Sequence, residues 1–286
     1  KWRLHQADID TAFLYADLDD EIYMQQPEGH VDSKHPTWVC RLHKSIYGLK
    51  QASHPWNKKL TNSIIKMGYQ QLDSDPSCFS LLSAANKPVC LVAVYVDDIL
   101  ITGPDEEAIL HFKNALRQEY KLKDLGTARW LLGMSIERSS LWDRTFLSQE
   151  QYIKDLLDRF DAGSTLSKDL PFKLDDNDVP KKSSLADRTS FASLVGSLLY
   201  AAIGTRPDIA QTVNKLCQKM HSPSLQDHER AIWCLRYLRG TTTWGLLYEA
   251  SHPLMCHCDS DWGNSDPERY SRSGYVILMN RGPLEY

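Results

Sequence analysis

Between Pro88 and Gly103 the sequence reads PVCLVAVYVDDILITG, and two neighbouring carboxylates, Asp97 and Asp98, break an otherwise apolar, β-branched run. Such a run is expected to form a buried strand, a short turn and a second buried strand. The favoured two-residue hairpin turns need positive φ and take Gly or Asn, yet Ile99 and Leu100 follow the aspartates directly. Turn chemistry alone therefore does not account for the pair. Two like charges at the edge of a core repel one another and lose solvation, so they stay ionised when a cation neutralises them, and a hard divalent metal is well suited. Two solvated loop aspartates are the competing reading of the dipeptide taken alone.

Other charges are sorted along the chain. From Leu4 to Asp32 every charged residue is acidic, including Asp8, Asp10, Asp17 and Glu21, whereas from Ser33 to Leu72 every one is basic, including Arg41, Lys44, Lys50 and Lys59. An acidic patch beside a basic track suits a metal site next to a phosphate-bearing ligand; solvated faces of two elements fit as well. The remaining cationic group lies in a helical block and comprises Arg206, Lys215, Lys219, Arg230, Arg236 and Arg239. These six could grip a duplex backbone or stand as exposed helix charges.

The elements that would position these groups follow from periodicity. Leu4 to Tyr15 reads as a strand running into a turn or helix. Trp56, Leu60, Ile64 and Met67 keep helical spacing, and Asp105 to Leu122 is a helix with acids in its first turn. A strand bracketed by Asp75–Phe79 and Ala84–Lys87 is expected to pair antiparallel with the one ending at Tyr95. Trp130–Glu137 and Arg144–Leu147 read as a hairpin, and Ser148-Gln149-Glu150-Gln151 as a capping box opening a helix to about Phe160. Asp161 to Ser190 is polar and reads as a linker, followed by three helices, Phe191–Ile203, Pro207–Met220 and Leu225–Arg239. Leu254–Asp261 and Gly274–Met279 form a last hairpin, which must pack on the body or belong to a truncated domain. The expected class is α+β, an antiparallel sheet with helices on one side.

Composition excludes some alternatives. The chain has 286 residues, 42% hydrophobic and 24% charged, with a net charge of −4, which argues against coating nucleic acid through bulk charge. No apolar stretch approaches the roughly 18 residues of a membrane span, and no secretion signal is expected at the start. Opening on Lys rather than Met, the chain is expected to be cut from something longer. Seven cysteines without a CxxC pair suit a reducing compartment. In the tight group Cys256-His257-Cys258, two sulfurs at i and i+2 make a poor zinc site, so core thiols are expected.

The motifs QADIDTAFL (6–14), SIYGLKQ (45–51), YVDD (95–98), LGMSIE (132–137), TRPDIA (205–210), RYLRGT (236–241) and SDWGNSDPERYSRSGY (260–275), in this order, resemble the reverse transcriptase of copia-type LTR retrotransposon polyproteins. The resemblance covers nearly the whole chain. It implies a right-hand polymerase, with a palm and partial fingers over 1–160, a linker and helical thumb over 161–250, and a truncated RNase H-like hairpin over 251–286. It further implies that Asp8, Asp97 and Asp98 are catalytic and hold two Mg²⁺ ions, for which Mn²⁺ can substitute, in transferring nucleotides from dNTPs to a primer 3′ hydroxyl on an RNA or DNA template. Phe13 matches the aromatic gate against ribose 2′ hydroxyls. Lys50, Gln51 and Tyr95 match nucleotide and template positions, and Gly133 with Met134 the primer-gripping hairpin.

Departures from the pattern accompany the match. The family's upstream finger strands are not in this chain, Asp10 stands where many members have Lys, and Ser53-His54-Pro55 replaces a common Pro-Arg-Ala. Of the RNase H carboxylates only the first, Asp259 with Asp261 as the other choice, is expected here, so no RNA cleavage is predicted. A catalytically inactive element remnant that at most binds primer-template is the rival expectation. Other segments of the pol polyprotein are implied partners, and a cytoplasmic particle or the nucleus is the implied location.

Overall fold

The structure is a computed structural model that describes residues 2–141, 143–172, 187–260, 262, 271 and 273–286. Two compact units divide the chain, Lys1–Ala128 and Arg129–Tyr286.

The first unit opens with β1 (Arg3–Ile9), a 3₁₀ turn (Ala12–Tyr15), β2 (Asp17–Gln25) and β3 (Val39–Lys44). Helix α1 (Ser53–Lys66) follows, then β4 (Gln70–Gln71), β5 (Cys78–Leu82), β6 (Pro88–Tyr95), β7 (Asp98–Gly103), α2 (Glu106–Glu119) and β8 (Leu122–Thr127). Six strands form one sheet in the order β4-β5-β6-β7-β1-β8, and β2 pairs only with β3. Strand alternation assigns the two faces. Ala7 and Ile9 of β1, Ile99 and Ile101 of β7 and Val92 of β6 are buried together with Trp56, Leu60 and Ile64 of α1 and Ile109, Phe112 and Leu116 of α2. Both helices therefore cover one face, and Gln6, Asp8, Asp98 and Leu100 belong to the other.

Local chemistry explains the helix starts. Asp105 is the N-cap of α2, its carboxylate accepting from the backbone N–H of Glu107 at 2.9 Å and of Ala108 at 3.2 Å. Strand β8 was not foreseen, because LKDLGT lies mostly exposed along a sheet edge and lacks an apolar alternation.

The second unit begins with β9 (Trp130–Leu131), β10 (Met134–Arg138), β11 (Arg144–Ser148) and α3 (Glu150–Arg159). Then come α4 (Arg188–Gly204), a 3₁₀ turn (Pro207–Ile209), α5 (Ala210–Cys217), α6 (Leu225–Gly240) and β12 (Gly245–Glu249), which joins β9–β11 in a sheet ordered β12-β11-β10-β9. Ile153, Leu157, Phe191, Leu194, Leu198, Val213, Leu235 and Leu238 build its helical core. Last in the chain, β13 (Met255–Ser260), β14 (Ser273–Met279) and β15 (Gly282–Glu285) form a separate sheet. It is fastened to the unit by the Tyr248 hydroxyl donating to Pro283 O and the Tyr286 hydroxyl to Ala202 O, both at 2.7 Å.

Several expectations are corrected here. No capping box opens α3, since Ser148 is the last residue of β11 and its hydroxyl meets that of Ser135 across the ladder at 2.8 Å. The box occurs instead at α6, where Ser224 Oγ accepts from Asp227 N–H and Asp227 Oδ2 accepts from Ser224 N–H. Cys256 and Cys258 are exposed rather than core thiols, because neither face of β13 is covered and all of its residues are exposed. Of the six helical-block cations, Arg206 is buried, Arg236 donates to Leu166 O at 2.7 Å and Arg239 to Gly163 O at 2.8 Å. These three hold backbone rather than standing ready for phosphates. The tied segment lies in the stretch read as a linker, of which residues 173–186 fall outside the described residues, as does most of the 260–275 motif.

Candidate active site

Strand pairing brings the acidic residues together. Asp8 on β1 and Asp98 on β7 are directly opposed partners in the antiparallel ladder, so their side chains stand on the same, helix-free face. Tyr95 is the partner of Asp98 on β6, and Lys123 the partner of Asp8 on β8. A single row, Tyr95, Asp98, Asp8 and Lys123, therefore crosses four strands. Lys123 was missed by sequence reasoning, since the strand that carries it had no legible pattern.

Asp97 lies in the two-residue turn between β6 and β7, and its backbone carbonyl accepts from Ile9 N–H at 3.0 Å. The turn is held against an unfavourable backbone. Val96 has φ 58°, in the left-handed region that a β-branched residue rarely enters, at a cost on the order of 1–3 kcal/mol. The buried indole of Trp56 on α1 donates to Val96 O at 2.7 Å, which fixes that geometry from beneath.

Each carboxylate has a polar neighbour. The buried Gln6 amide donates to Asp98 Oδ1 at 3.1 Å, and the Tyr47 hydroxyl to Asp97 Oδ2 at 3.4 Å. Burial raises the Asp8 carboxyl above its ordinary range; the charges of Asp97, Asp98 and Asp10 add to this, and Lys123 opposes it. Burial likewise raises the Tyr47 phenol, with the negative charge of Asp97 adding.

Three hard oxygen donors at one end of a sheet, repelling one another, form the donor set that a hard divalent cation takes. Among the described residues no group of three or more His, Cys, Asp and Glu side chains is gathered into a metal cage. The paired strands bring Asp8 and Asp98 side by side with Asp97 next to them, and the side chains are not drawn in around a centre.

The other residues singled out from sequence fall as follows. Phe13 sits in the 3₁₀ turn after β1, and its ring meets Tyr47 edge-on at 4.7 Å between centroids. Lys50 and Gln51 are exposed in the loop leading to α1. The member of that loop which reaches both Phe13 and Asp97 is Tyr47, a residue that spacing gave no reason to select. Asp10 is ion-paired with Lys121 at 2.6 Å, which accounts for an acid where a lysine was expected. The acidic and basic tracts meet across β2 and β3, where Asp17 pairs with Lys44 and Glu21 with Arg41. These two cross-strand pairs account for part of the charge sorting.

In the second unit, Gly133 has φ 72° in the turn between β9 and β10, next to Leu132 at φ 49°, and Met134 opens β10. The Tyr200 hydroxyl of α4 donates to Leu132 O and holds this turn. Asp259 is exposed on β13, accepting from Ser260 N–H at 2.9 Å, and Asp261 lies outside the described residues.

A family model described as reverse transcriptase (RNA-dependent DNA polymerase) matches residues 1–173. The retrovirus-related Pol polyprotein from transposon TNT 1-94 of Nicotiana tabacum is 36% identical over 99% of this chain and 22% of its own length. That from transposon RE2 of Arabidopsis thaliana is 36% identical over all of this chain and 19% of its own length. The transposon Ty5-1 protein of Saccharomyces cerevisiae is 32% identical over 98% of this chain and 91% of its own. The chain thus spans about a fifth of the two Pol polyproteins. Among the described residues no helix is long and apolar enough to cross a membrane.

Proposed function

The chain belongs to the reverse transcriptase (RNA-dependent DNA polymerase) family, as a copia/Ty-type retrotransposon Pol domain, and from that premise we propose that it extends a primer 3′ hydroxyl with dNTPs on an RNA or DNA template. The observation that carries the reading is the register that opposes Asp8 to Asp98 with Asp97 in the adjoining turn. Asp8, Asp97 and Asp98 would hold the two Mg²⁺ ions. When bound, these ions favour the deprotonated 3′ hydroxyl and stabilise charge on the leaving pyrophosphate.

The chain's own residues do the rest. Gln6 orients the carboxylate of Asp98, and the Tyr47 hydroxyl makes a longer contact with that of Asp97. Trp56 keeps the turn in one conformation. Phe13 closes the space beside a nucleotide's 2′ carbon, and Lys50, Gln51 and Tyr95 contact the nucleotide and template. The turn at Gly133 and Met134 holds the primer strand. The same reading divides the chain into palm with partial fingers (1–160), linker and thumb (161–250) and an RNase H-like hairpin (251–286), and makes other pol segments its partners in a cytoplasmic particle or the nucleus.

Primer extension on an RNA template, in Mg²⁺ and separately in Mn²⁺, tests this. The wild-type chain is expected to extend, and the Asp97→Ala, Asp98→Ala double variant to lose extension by at least about a thousandfold. Absence of extension by the wild-type chain in both metals, or equal extension by both proteins, would overturn it.

A further inference from the structure

We propose that Tyr47 is a specificity-determining residue that sets the position of the sugar gate through the edge of its ring. The inference rests on the polymerase reading above, and deepens it at one residue. Phe13 lies on a short 3₁₀ turn of four residues, entered through Thr11, which itself has φ 57°. A single turn of this kind has little internal rigidity, since its hydrogen bonds are few and its geometry poor. Its ring is half-buried, so the core does not fully fix its direction. What stands against the ring is Tyr47, at 4.7 Å and an interplanar angle of 64°. Edge-to-face contact is the arrangement in which aromatic quadrupoles attract, and it resists both sliding and rotation of the partner.

Tyr47 is itself well placed to act as a stop. Next to it, Gly48 takes φ 94°, which turns the loop back and leaves Tyr47 at its tip. Two residues before it, Ser45 is buried, and its N–H donates to Ala16 O at 2.9 Å, tying the base of this loop to the end of the gate's own turn. The base of the loop and the end of the gate's turn are therefore fastened to each other. At the far end of the ring, the hydroxyl faces the Ala12 backbone in the gate's own turn and reaches Asp97 Oδ2 at 3.4 Å, a long and weak contact, and both orient Tyr47. The ring, and not the hydroxyl, is assigned the discrimination. A flexible aliphatic side chain in place of the ring would let Phe13 swing, enlarging the space beside C2′.

The test is single-nucleotide incorporation on a primed RNA template by wild type, Tyr47→Phe and Tyr47→Leu, comparing kcat/KM for a dNTP with that for the matching rNTP. Thermal unfolding by circular dichroism confirms that each variant is folded, as expected for an exposed residue. Tyr47→Phe is expected to keep the dNTP/rNTP ratio within about twofold, and Tyr47→Leu to lower it about five- to tenfold, chiefly through better use of the rNTP. A ratio unchanged in Tyr47→Leu overturns the inference, as does an equal fall in both variants, which would give the role to the hydroxyl. If Tyr47→Leu lowers use of both nucleotides by the same factor, the residue acts on the reaction without selecting the sugar, and the inference also fails. A wild-type chain that incorporates neither nucleotide overturns the polymerase reading beneath it, an outcome distinct from the other three.

Discussion

Two carboxylate clusters in this molecule are built in opposite ways. In the first unit Asp8 faces Asp98 across a ladder with Asp97 alongside, and burial and like charge together push the Asp8 carboxyl up. In the second unit the Asp208 carboxyl is partly desolvated by its neighbours although the residue itself is exposed, and Arg206 and Tyr237 outweigh that desolvation and hold it below the usual carboxylate range. Arg206, 1% exposed, donates to both Asp208 oxygens at 3.0 and 2.7 Å and to Thr241 O at 2.9 Å, and the Tyr237 hydroxyl donates to Asp208 at 2.7 Å. Asp208 is answered from within the chain by Arg206, whereas Asp8 stands among the like charges of Asp97, Asp98 and Asp10 with Lys123 opposing them.

The contrast can be broken at three points. Asp208→Ala leaves the buried Arg206 guanidinium without its carboxylate, and is expected to cost about 3–5 kcal/mol in urea unfolding followed by circular dichroism. A loss under about 1 kcal/mol would mean that the pair does not hold the second unit.

Acidification should act in the same direction more gently. Because the Asp208 carboxyl is held below its ordinary value, its contribution is fully present above about pH 4 and is lost as pH falls through the folded value. The second unit of wild type should therefore lose more stability between pH 5 and pH 2 than that of Asp208→Asn, and equal losses would remove the linkage.

The smallest effect is expected at the candidate site. In metal-free buffer Asp8→Asn removes one of three repelling charges and should raise stability by about 0.5–1 kcal/mol, while in Mg²⁺ its primer extension is expected to disappear. A variant that is both less stable and inactive would show that Asp8 supports the fold.

Legibility from sequence followed the range of the interactions concerned. Helices α1 and α2 and the β6–β7 hairpin were readable because Trp56, Leu60 and Ile64, or Ile109, Phe112 and Leu116, repeat at helical spacing, and because a β-branched run marks buried strands. Strand β8 was not, since its residues satisfy an edge rather than a core. The partnership of Asp8 with Asp98 is invisible to local pattern and was implied only by family motifs. Tyr47 escaped notice because an exposed loop tyrosine carries no signal until the fold shows what its ring touches. The cations of α6 misled for a related reason: Arg236 and Arg239 look like surface charge along a helix, and only the path of residues 163–166 reveals their carbonyl partners.

The place of β1 between β7 and β8 has a consequence for how the molecule is made. Its neighbours β7 and β8 are far along the chain, with 92 residues separating Gln6 from the Asp98 it contacts. On a growing chain, β1 stays an unmatched ribbon while α1 and the β5–β6 pair, which need only nearby partners, can already settle. Asp8 thus meets Asp98 only through this long-range closure, so an incomplete product of translation could carry every motif before the turn and still leave the carboxylates unopposed.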